Sequence, residues 1–322
     1  MAAPEQDSAN MKPAAGASVS VSPIAYHGWK DCYRLVSATL EVIVVSSIGR
    51  IMQLRRIGDD AGVLWENRVL DGQLPKPNSG IWANFGGDKC WPAPQSDWPR
   101  VLGHEWPPPA AFDASPFEVS VTDAGLMLKS PVDPAWGIQV VRHVELDSAA
   151  PAMRVRTEFR KASGKPARVA IWTIAQFQDP ARVAIELPSE SKFTGGYKNL
   201  IKDDPAESTV NGRLLTFARD PHKFVKIGSD AQSIVWVGPT SVVRMQSELL
   251  PGDYPDGGCS IEVYTNPGEQ KYVELETLGP LVNLEAGQII EHTTTYAVLP
   301  HERHIIEPKG TGNGRNRRDN AL

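Results

Sequence analysis

Apolar and polar residues alternate with a period of two along most of the chain. Such alternation is typical of strands that bury one face, and turns rich in Gly, Pro, Asn, Asp and Ser separate the runs. No stretch shows the helical period over three turns without Gly or Pro. The runs that predict strands are 33–36, 40–45, 51–57, 117–121, 126–129, 138–146, 153–159, 169–177, 214–218, 233–237, 242–247, 260–264, 272–277 and 289–298. The pattern predicts one large all-β domain of antiparallel strands, a sandwich or a barrel.

Composition narrows the classes of protein that the chain can belong to. Its 322 residues are 41% hydrophobic and 22% charged, which is enough apolar surface for a full-sized core. A net charge of -5 provides no broad positive face, so we expect no nucleic-acid partner. No apolar run is long enough for a membrane-spanning helix. Three widely separated cysteines predict neither a disulfide scaffold nor a cysteine zinc site, and no metal or other cofactor is expected.

The two ends of the chain differ from the middle in composition. Residues 1–24 are rich in Ala, Ser and Pro without an apolar core, so they predict a disordered leader and no intact secretory signal. Residues 308–322 are rich in Gly, Asn and Arg and predict a disordered tail. A single domain over 25–307 is expected between them. The compartment stays open between the cytoplasm and, for a chain already trimmed of a signal, the periplasm or exterior.

The segment 81–113 interrupts the alternation and holds four of the nine tryptophans together with many prolines. A long segment without regular structure inside a compact domain is usually a functional loop or a packed lid. Indole rings offer flat apolar faces that stack on the C–H face of a sugar ring. The alternative is that these indoles cap an open end of the sandwich.

Three segments together resemble the galactose-mutarotase-like superfamily, a β-supersandwich fold whose members bind and process carbohydrates. Residues 37–67 resemble its opening strands around a Gly-Arg turn, and 86–95 (GGDKCWPAPQ) resemble its Gly-Gly loop with an aromatic-Pro pair. Residues 271–298 resemble the closing strands of the hexose-6-phosphate mutarotase branch. Together with HGWK and WPPP, the motifs most resemble a bacterial subgroup whose function is not established. The resemblance implies the fold and a carbohydrate ligand.

The resemblance also implies a candidate catalytic pair. In aldose 1-epimerases a carboxylate takes the proton of the anomeric hydroxyl while a histidine protonates the ring oxygen. The family's glutamate falls on Glu276, and alternation places Glu274 on the same strand face. Trp172 occupies the position of the family's histidine, so His104 is the best remaining acid. The open alternatives are a solvated Glu276 and a His104 that hydrogen-bonds within its loop.

The candidate substrate-binding residues are cations and aromatic side chains. Lys89 follows two glycines that let a ligand approach the backbone, and arginines in a sheet usually face solvent or a cleft. Internal ion pairing, for instance of Lys89 with Asp88 or Glu276, is the competing interpretation. Three histidines near the end of the chain, His292, His301 and His304, are expected at the surface. The predicted binding residues are Arg50, Asp88, Lys89, Trp91, Trp106, Arg142 and Trp172.

These observations lead to one functional prediction with two alternatives. The chain is expected to bind a sugar or a sugar-derived small molecule and to act as an aldose-1-epimerase-like isomerase. A non-catalytic sugar-binding module is the first alternative, favoured by the tryptophan at the histidine position. A lyase that acts on an acidic polysaccharide is the second, because related folds occur in such enzymes. The sequence leaves the identity of the sugar and the oligomeric state open.

Overall fold

The computed structural model describes residues 18–76, 79–201 and 208–301. Most of the predicted leader and the whole of the predicted tail lie outside the described residues. The predicted boundary at residue 24 falls inside the first strand, which begins at Ser20. Val19 and Val21 pack against the core there, so the alternation begins earlier than the composition of the leader indicates.

Strands dominate the described residues, and the helices are short. The strands are β1 Ser20–Tyr26, β2 Trp29–Val36, β3 Leu40–Val45, β4 Arg50–Arg56, β5 Asp88–Ala93, β6 Glu118–Thr122, β7 Gly125–Val132, β8 Ile138–Leu146, β9 Ala152–Lys161, β10 Ala167–Gln178, β11 Arg182–Glu186, β12 Lys198–Asn199, β13 Thr209–Asn211, β14 Leu214–Phe217, β15 Val225–Ser229, β16 Ser233–Val237, β17 Ser241–Ser247, β18 Ile261–Thr265, β19 Tyr272–Leu278, β20 Val282–Leu284 and β21 Ile289–Pro300. The helical turns are α1 Trp98–Leu102, α2 Ala110–Asp113 and α3 Pro255–Gly258, with 3₁₀ turns at Ser46–Ile48, Arg68–Leu70, Gln95–Asp97 and Thr194–Gly196.

The strands form two large antiparallel sheets. The first follows the order β1-β2-β3-β4-β5-β10-β19-β18-β15-β12, with β20 paired to β10. The second follows the order β13-β14-β11-β16-β17-β21-β9-β8-β7-β6. The main hydrophobic cluster joins residues of both sheets, among them Ile174 and Leu275 of the first and Val140 and Phe159 of the second. The predicted all-β architecture is therefore confirmed.

The segment 81–113 is more regular than its sequence predicts. It contains β5, which pairs with β10 from Asp88–Ala175 to Ala93–Ala170. Pro92 hides this strand in the sequence because proline is rare in strands that have neighbours on both edges. Within the described residues β4 pairs with β5 only at Ile51 and Asp88, so the missing N–H of Pro92 breaks no ladder on that edge.

The strand register decides which side chains share a face of the first sheet. Glu276 lies opposite Ile174 of β10 and Glu262 of β18, and directly opposed residues point to the same face. We call the face that carries Glu276 the site face. Residues on it are Lys89, Trp91, Trp172, Gln176, Lys226, Glu262, Tyr264, Tyr272 and Glu274. The opposite face of this sheet packs on the second sheet.

Candidate functional site

Glu276 lies in the middle of β19 with its carboxyl group fully buried. Trp172 donates a hydrogen bond of 2.7 Å from its indole Nε1 to Glu276 Oε2. Lys226 Nζ lies 3.4 Å from the same oxygen. Glu276 Oε1 accepts no hydrogen bond within the described residues. The predicted base is therefore held through Oε2 by Trp172 and Lys226.

Lys226 and Glu262 complete this group, and the sequence analysis missed both. Glu262 is fully buried, and its Oε2 lies 2.7 Å from Lys226 Nζ. Lys226 Nζ also lies 4.7 Å from the centroid of the Trp172 ring, in the arrangement of a cation–π contact. The Lys226 side chain is 21% exposed, and it covers carboxyl groups that solvent does not reach. We call Trp172, Lys226, Glu262 and Glu276 the Lys226 cluster.

The charges of the Lys226 cluster determine its protonation. Burial raises the pKa of Glu276 and raises that of Glu262 well above its ordinary value, although Lys226 opposes both shifts. Burial lowers the pKa of Lys226, but the attraction of Glu276 and Glu262 outweighs it and the net pKa is raised. Lys226 therefore stays charged. One cation compensates one carboxylate, so the two carboxyl groups together hold a proton more tightly than free glutamates do.

Glu274 and Lys89 form a second charged pair on the site face. Gln176 Nε2 donates 2.9 Å to Glu274 Oε1, and Lys89 Nζ lies 3.4 Å from that oxygen. Lys89 Nζ is also 5.1 Å from the centroid of the Trp91 ring. Burial lowers the pKa of Lys89, while Glu274 raises it. The ion-pair partner of Lys89 is thus Glu274 rather than Asp88 or Glu276.

The other predicted charged binding residues have partners inside the protein. Arg50 pairs with Asp113 at 2.7 Å and donates 2.8 Å to the Gly86 carbonyl oxygen. Arg142 pairs with Asp88, and all three of Arg50, Arg142 and Asp88 are fully buried. These contacts match the competing interpretation of internal ion pairing. The sugar-orienting role of these three residues stays a prediction from the sequence.

Five indole rings pack against one another and connect the segment 81–113 to the Lys226 cluster, with Trp91 in edge-to-face contact with the other four. The Trp91 ring lies 5.5 Å from Trp172, 5.7 Å from Trp98, 5.7 Å from Trp106 and 6.0 Å from Trp82, measured between centroids. Trp91 and Trp172 are buried, whereas Trp106 is 42% exposed. Of the three predicted stacking residues, Trp106 is the exposed one, and its ring stacks on that of Trp98 at 6.1 Å between centroids.

His104 lies in the loop after α1 and is exposed. It lines a groove of about 800 Å³ together with Trp82, Trp106 and the prolines 107–109. Trp106 contacts Trp91, which in turn contacts Trp172 of the Lys226 cluster. No hydrogen bond joins His104 to another side chain within the described residues, so the acid role assigned to it receives no support from a contact with Glu276.

His292 is buried, so its predicted surface position is wrong. Its Nε2 lies 3.0 Å from Thr277 Oγ1, between the two sheets. Burial lowers the pKa of His292 to about 4. The alternation along β21 hid this position because Thr294 and Tyr296 on the same strand face are also buried polar residues. His301 is exposed, and His304 lies outside the described residues.

The described residues contain neither a cluster of metal ligands nor a membrane-spanning helix. No group of three or more His, Cys, Asp or Glu side chains in 18–76, 79–201 and 208–301 is arranged to hold a metal ion. No helix in this part of the chain is long and apolar enough to cross a membrane.

Solved structures show which fold this arrangement belongs to. A galactose mutarotase-like protein from Lactobacillus casei aligns over 82% of this chain and 99% of its own, with a TM-score of 0.57 at 9% identity. One from Clostridium acetobutylicum aligns over 88% and 100%, with a TM-score of 0.56 at 11% identity. A galactose mutarotase related enzyme from Lactobacillus acidophilus aligns over 84% and 97%, with a TM-score of 0.52 at 10% identity.

No protein-family model and no curated protein matches the sequence. At these low identities the likeness to solved structures concerns the fold. The resemblance that the sequence motifs indicated is confirmed at that level. The chain has the galactose-mutarotase-like β-supersandwich fold.

Proposed function

We propose that the chain binds a sugar on the site face, above the Lys226 cluster, and interconverts its anomers. The observation that carries the proposal is the buried Glu276 carboxyl group, bound at one oxygen by Trp172 and Lys226 and placed next to a second carboxyl group. The galactose mutarotase-like proteins of the same fold support a sugar as the ligand.

The paired carboxyl groups can supply both the base and the acid of the reaction. Lys226 holds its proton firmly between the carboxylates and is a weak acid. Burial raises the pKa of both carboxyl groups, so the pair shares a proton, and in the proposed reaction Glu262 carries it. Glu276, bound by Trp172 and Lys226, stays the better base. Glu262 thus takes the acid role for which the sequence analysis named His104.

Each proton and bond in the proposed reaction is accounted for. Glu276 accepts the proton of the anomeric hydroxyl while Glu262 donates its proton to the ring oxygen, and the bond between the anomeric carbon and the ring oxygen breaks. The open-chain aldehyde turns and closes from its other face, and both protons return. Neighbouring carboxyl groups can reach both oxygens because these are bonded to the same carbon. This reaction requires Lys226, which covers both carboxyl groups, to move aside as the sugar enters.

Exchange spectroscopy by NMR on the two anomers of a sugar tests this proposal. The wild type is expected to accelerate interconversion, and Glu276→Gln is expected to lower the accelerated rate by at least about 100-fold, the contribution of a general base. Glu190→Gln, which changes an exposed carboxylate, is the matched control and is expected to keep the rate. Equal rates for Glu276→Gln and wild type would contradict the proposed role.

A second candidate is a sugar-binding protein without turnover. The observation that favours it is the indole of Trp172 at the position of the family's histidine, because an indole N–H donates a hydrogen bond but no proton. Binding of a sugar by calorimetry, with the uncatalysed exchange rate, would select this candidate over the epimerase.

A further inference from the structure

A cleft of about 700 Å³ lies over β3 and β4, and its lining shares no residue with the Lys226 cluster. The strand register accounts for its position. Ile51 of β4 lies opposite Asp88 and points to the face of the first sheet that packs on the second sheet. The register of β3 and β4 shifts between Ile43 and Val44, so that Val44 pairs with Ile51 but Ile43 pairs with Gln53. Ile43 and Gln53 therefore turn to the site face, and both line the cleft. The cleft and the Lys226 cluster are thus open on the same face.

Trp65 lines the cleft on the side of Tyr272. Its N–H donates 2.8 Å to the Gln176 carbonyl oxygen, and its own carbonyl accepts 2.9 Å from Gly87 N–H, so its backbone is fixed on both sides. Its partly buried ring lines the cleft and lies 4.7 Å from the ring of Tyr272, between centroids. Tyr272 and Glu276 share the site face of β19, four positions apart.

Polar side chains in the cleft are already bound to one another. Glu66 accepts hydrogen bonds of 2.8 Å from Tyr26 Oη and 2.7 Å from Gln53 Nε2. Glu41 pairs with Arg55 on the neighbouring strand. Each sugar hydroxyl both donates and accepts, so fixed carboxylate, amide and guanidinium groups can bind it with little loss of side-chain entropy.

His27 lines the cleft from the two-residue turn between β1 and β2, where Tyr26 pairs with Trp29. The positive φ values of His27 (45°) and Gly28 (91°) are those of a hairpin turn that matches the twist of its strands. The His27 ring lies 4.0 Å from that of Tyr26, and Arg68 donates 2.8 Å to its Nδ1. The turn and these two contacts keep an imidazole at the cleft.

We propose that the cleft is a second saccharide subsite, so that the ligand of the site face is a neutral oligosaccharide rather than a single sugar. This inference rests on the proposed function. A volume of about 700 Å³ is that of a typical ligand pocket. The aromatic ring of Trp65 is a surface on which a sugar in the cleft would stack.

The charge of the cleft favours a neutral chain of sugars over an acidic one. Carboxylates outnumber cations among the lining residues, and Arg55 and Arg68 already pair with Glu41 and Glu66, so the cleft offers an anionic sugar little free positive charge. The lining carboxylates are Glu41, Asp60, Glu66, Asp179 and Glu269, and the lining cations are Arg55, Arg68 and Lys271.

Calorimetric titration with saccharides of increasing length tests the inference. The probes are glucose, galactose, α-1,4- and β-1,4-linked glucose chains of two to four units, and oligogalacturonates of the same lengths. At least one neutral series is expected to bind about tenfold or more tightly as a trimer than as a monomer. Trp65→Ala is expected to remove this gain in affinity with chain length. Trp65→Phe is expected to restore most of the gain, which separates lost stacking from misfolding.

The outcomes separate the inference from the proposed function. Monomer binding without a gain in affinity with length would overturn the oligosaccharide and keep the sugar site. A gain that survives Trp65→Ala in a folded variant would overturn the role of the cleft. Tighter binding of oligogalacturonates than of neutral chains would overturn the neutral ligand. Failure of every saccharide to bind would contradict the proposed function and the inference together.

Discussion

The residue that governs the chemistry of the site is Lys226, because it is the one cation in contact with both buried carboxyl groups among the described residues. Burying a charge without a partner is costly, so each carboxylate depends on this amine or on a proton. Trp172 adds a hydrogen bond to Glu276 and a ring face to Lys226. Because one amine is shared by two carboxyl groups, the pair holds a proton more tightly than free glutamates do.

Removal of the Lys226 charge is expected to destabilise the fold in a pH-dependent way. Lys226→Met leaves two buried carboxyl groups without a cation, and loss of one partner of a buried pair costs about 3 kcal/mol or more. The raised pKa values of Glu262 and Glu276 mean that the folded state binds more protons than the unfolded state above about pH 4.5. The loss is therefore larger at pH 8 than at pH 5.

Urea unfolding of the variant at both pH values measures this loss. Lys129→Met is the control, because Lys129 pairs with Glu118 at 3.2 Å on the surface, and its loss is expected to cost less than about 1 kcal/mol. Equal unfolding free energies for the two variants at pH 8 would show that Lys226 does not neutralise the pair.

His292 is expected to lower the stability of the protein in acid. Its pKa is about 4 when folded against 6.5 when exposed, so the unfolded state binds the extra proton between these values. Stability from this residue is present above about pH 6.5 and is lost as the pH falls towards 4, by up to about 3 kcal/mol.

Unfolding free energies of His292→Gln between pH 4 and 7 test this prediction. The variant is expected to lose less stability in acid than the wild type, while His301→Gln, at an exposed histidine, is expected to follow the wild type. Parallel curves for all three proteins would show that His292 is not kept neutral by the fold.

At the scale of the elements, the site depends on close backbone approach around the Gly-Gly turn before β5. Gly87 has a φ of 71°, and a Cβ there would lie 2.4 Å from the Ile51 carbonyl oxygen. Gly86 approaches Trp65 in the same way, with a Cβ position 2.2 Å from the Trp65 carbonyl oxygen. These glycines bring β4, β5 and the Trp65 segment together, so they place Lys89 and Trp65 on one face.

Gly87→Ala and Gly80→Ala separate backbone strain from steric contact. Gly80 has a φ of 72°, but a Cβ there meets no atom within 4 Å among the described residues. Gly80→Ala is expected to cost about 1 kcal/mol from left-handed strain alone. Gly87→Ala adds the contact and is expected to cost about 3 kcal/mol or more. Thermal unfolding measures both, and similar losses would show that β4 does not approach β5 so closely.

Element prediction from the sequence succeeded where alternation was long and failed where a local feature hid it. The runs 40–45, 138–146 and 272–277 all fall within strands. The β5 strand was missed because Pro92 and two glycines look like a loop. The β15 strand was missed because Gly228 and Ser229 end a short run, and Lys226 was missed with it.

At the scale of the whole molecule, the sequence predicted the fold better than the site. Alternation and motif order suffice for a supersandwich, because every strand must bury one face. The Lys226 cluster joins β10, β15, β18 and β19, whose register is fixed only when the sheet forms. The sequence placed Glu276 and Glu274 on one face, but it could not show that Glu262 lies opposite Glu276. The sequence could not predict the pairing of Arg50 with Asp113 either, because the two residues are 63 positions apart.

The central claim is that a sugar binds on the site face above the Lys226 cluster. The indole N–H of Trp172 is a direct probe of this place because it donates to Glu276. Its ¹⁵N–¹H resonance can be assigned by its loss in Trp172→Phe and followed during titration with the saccharide that calorimetry selects. We predict a saturable shift of the Trp172 indole resonance with the calorimetric Kd. If saturation with the saccharide shifts only the indole resonances of Trp82 and Trp106, in the groove that His104 lines, and leaves Trp172 unchanged, the account is contradicted.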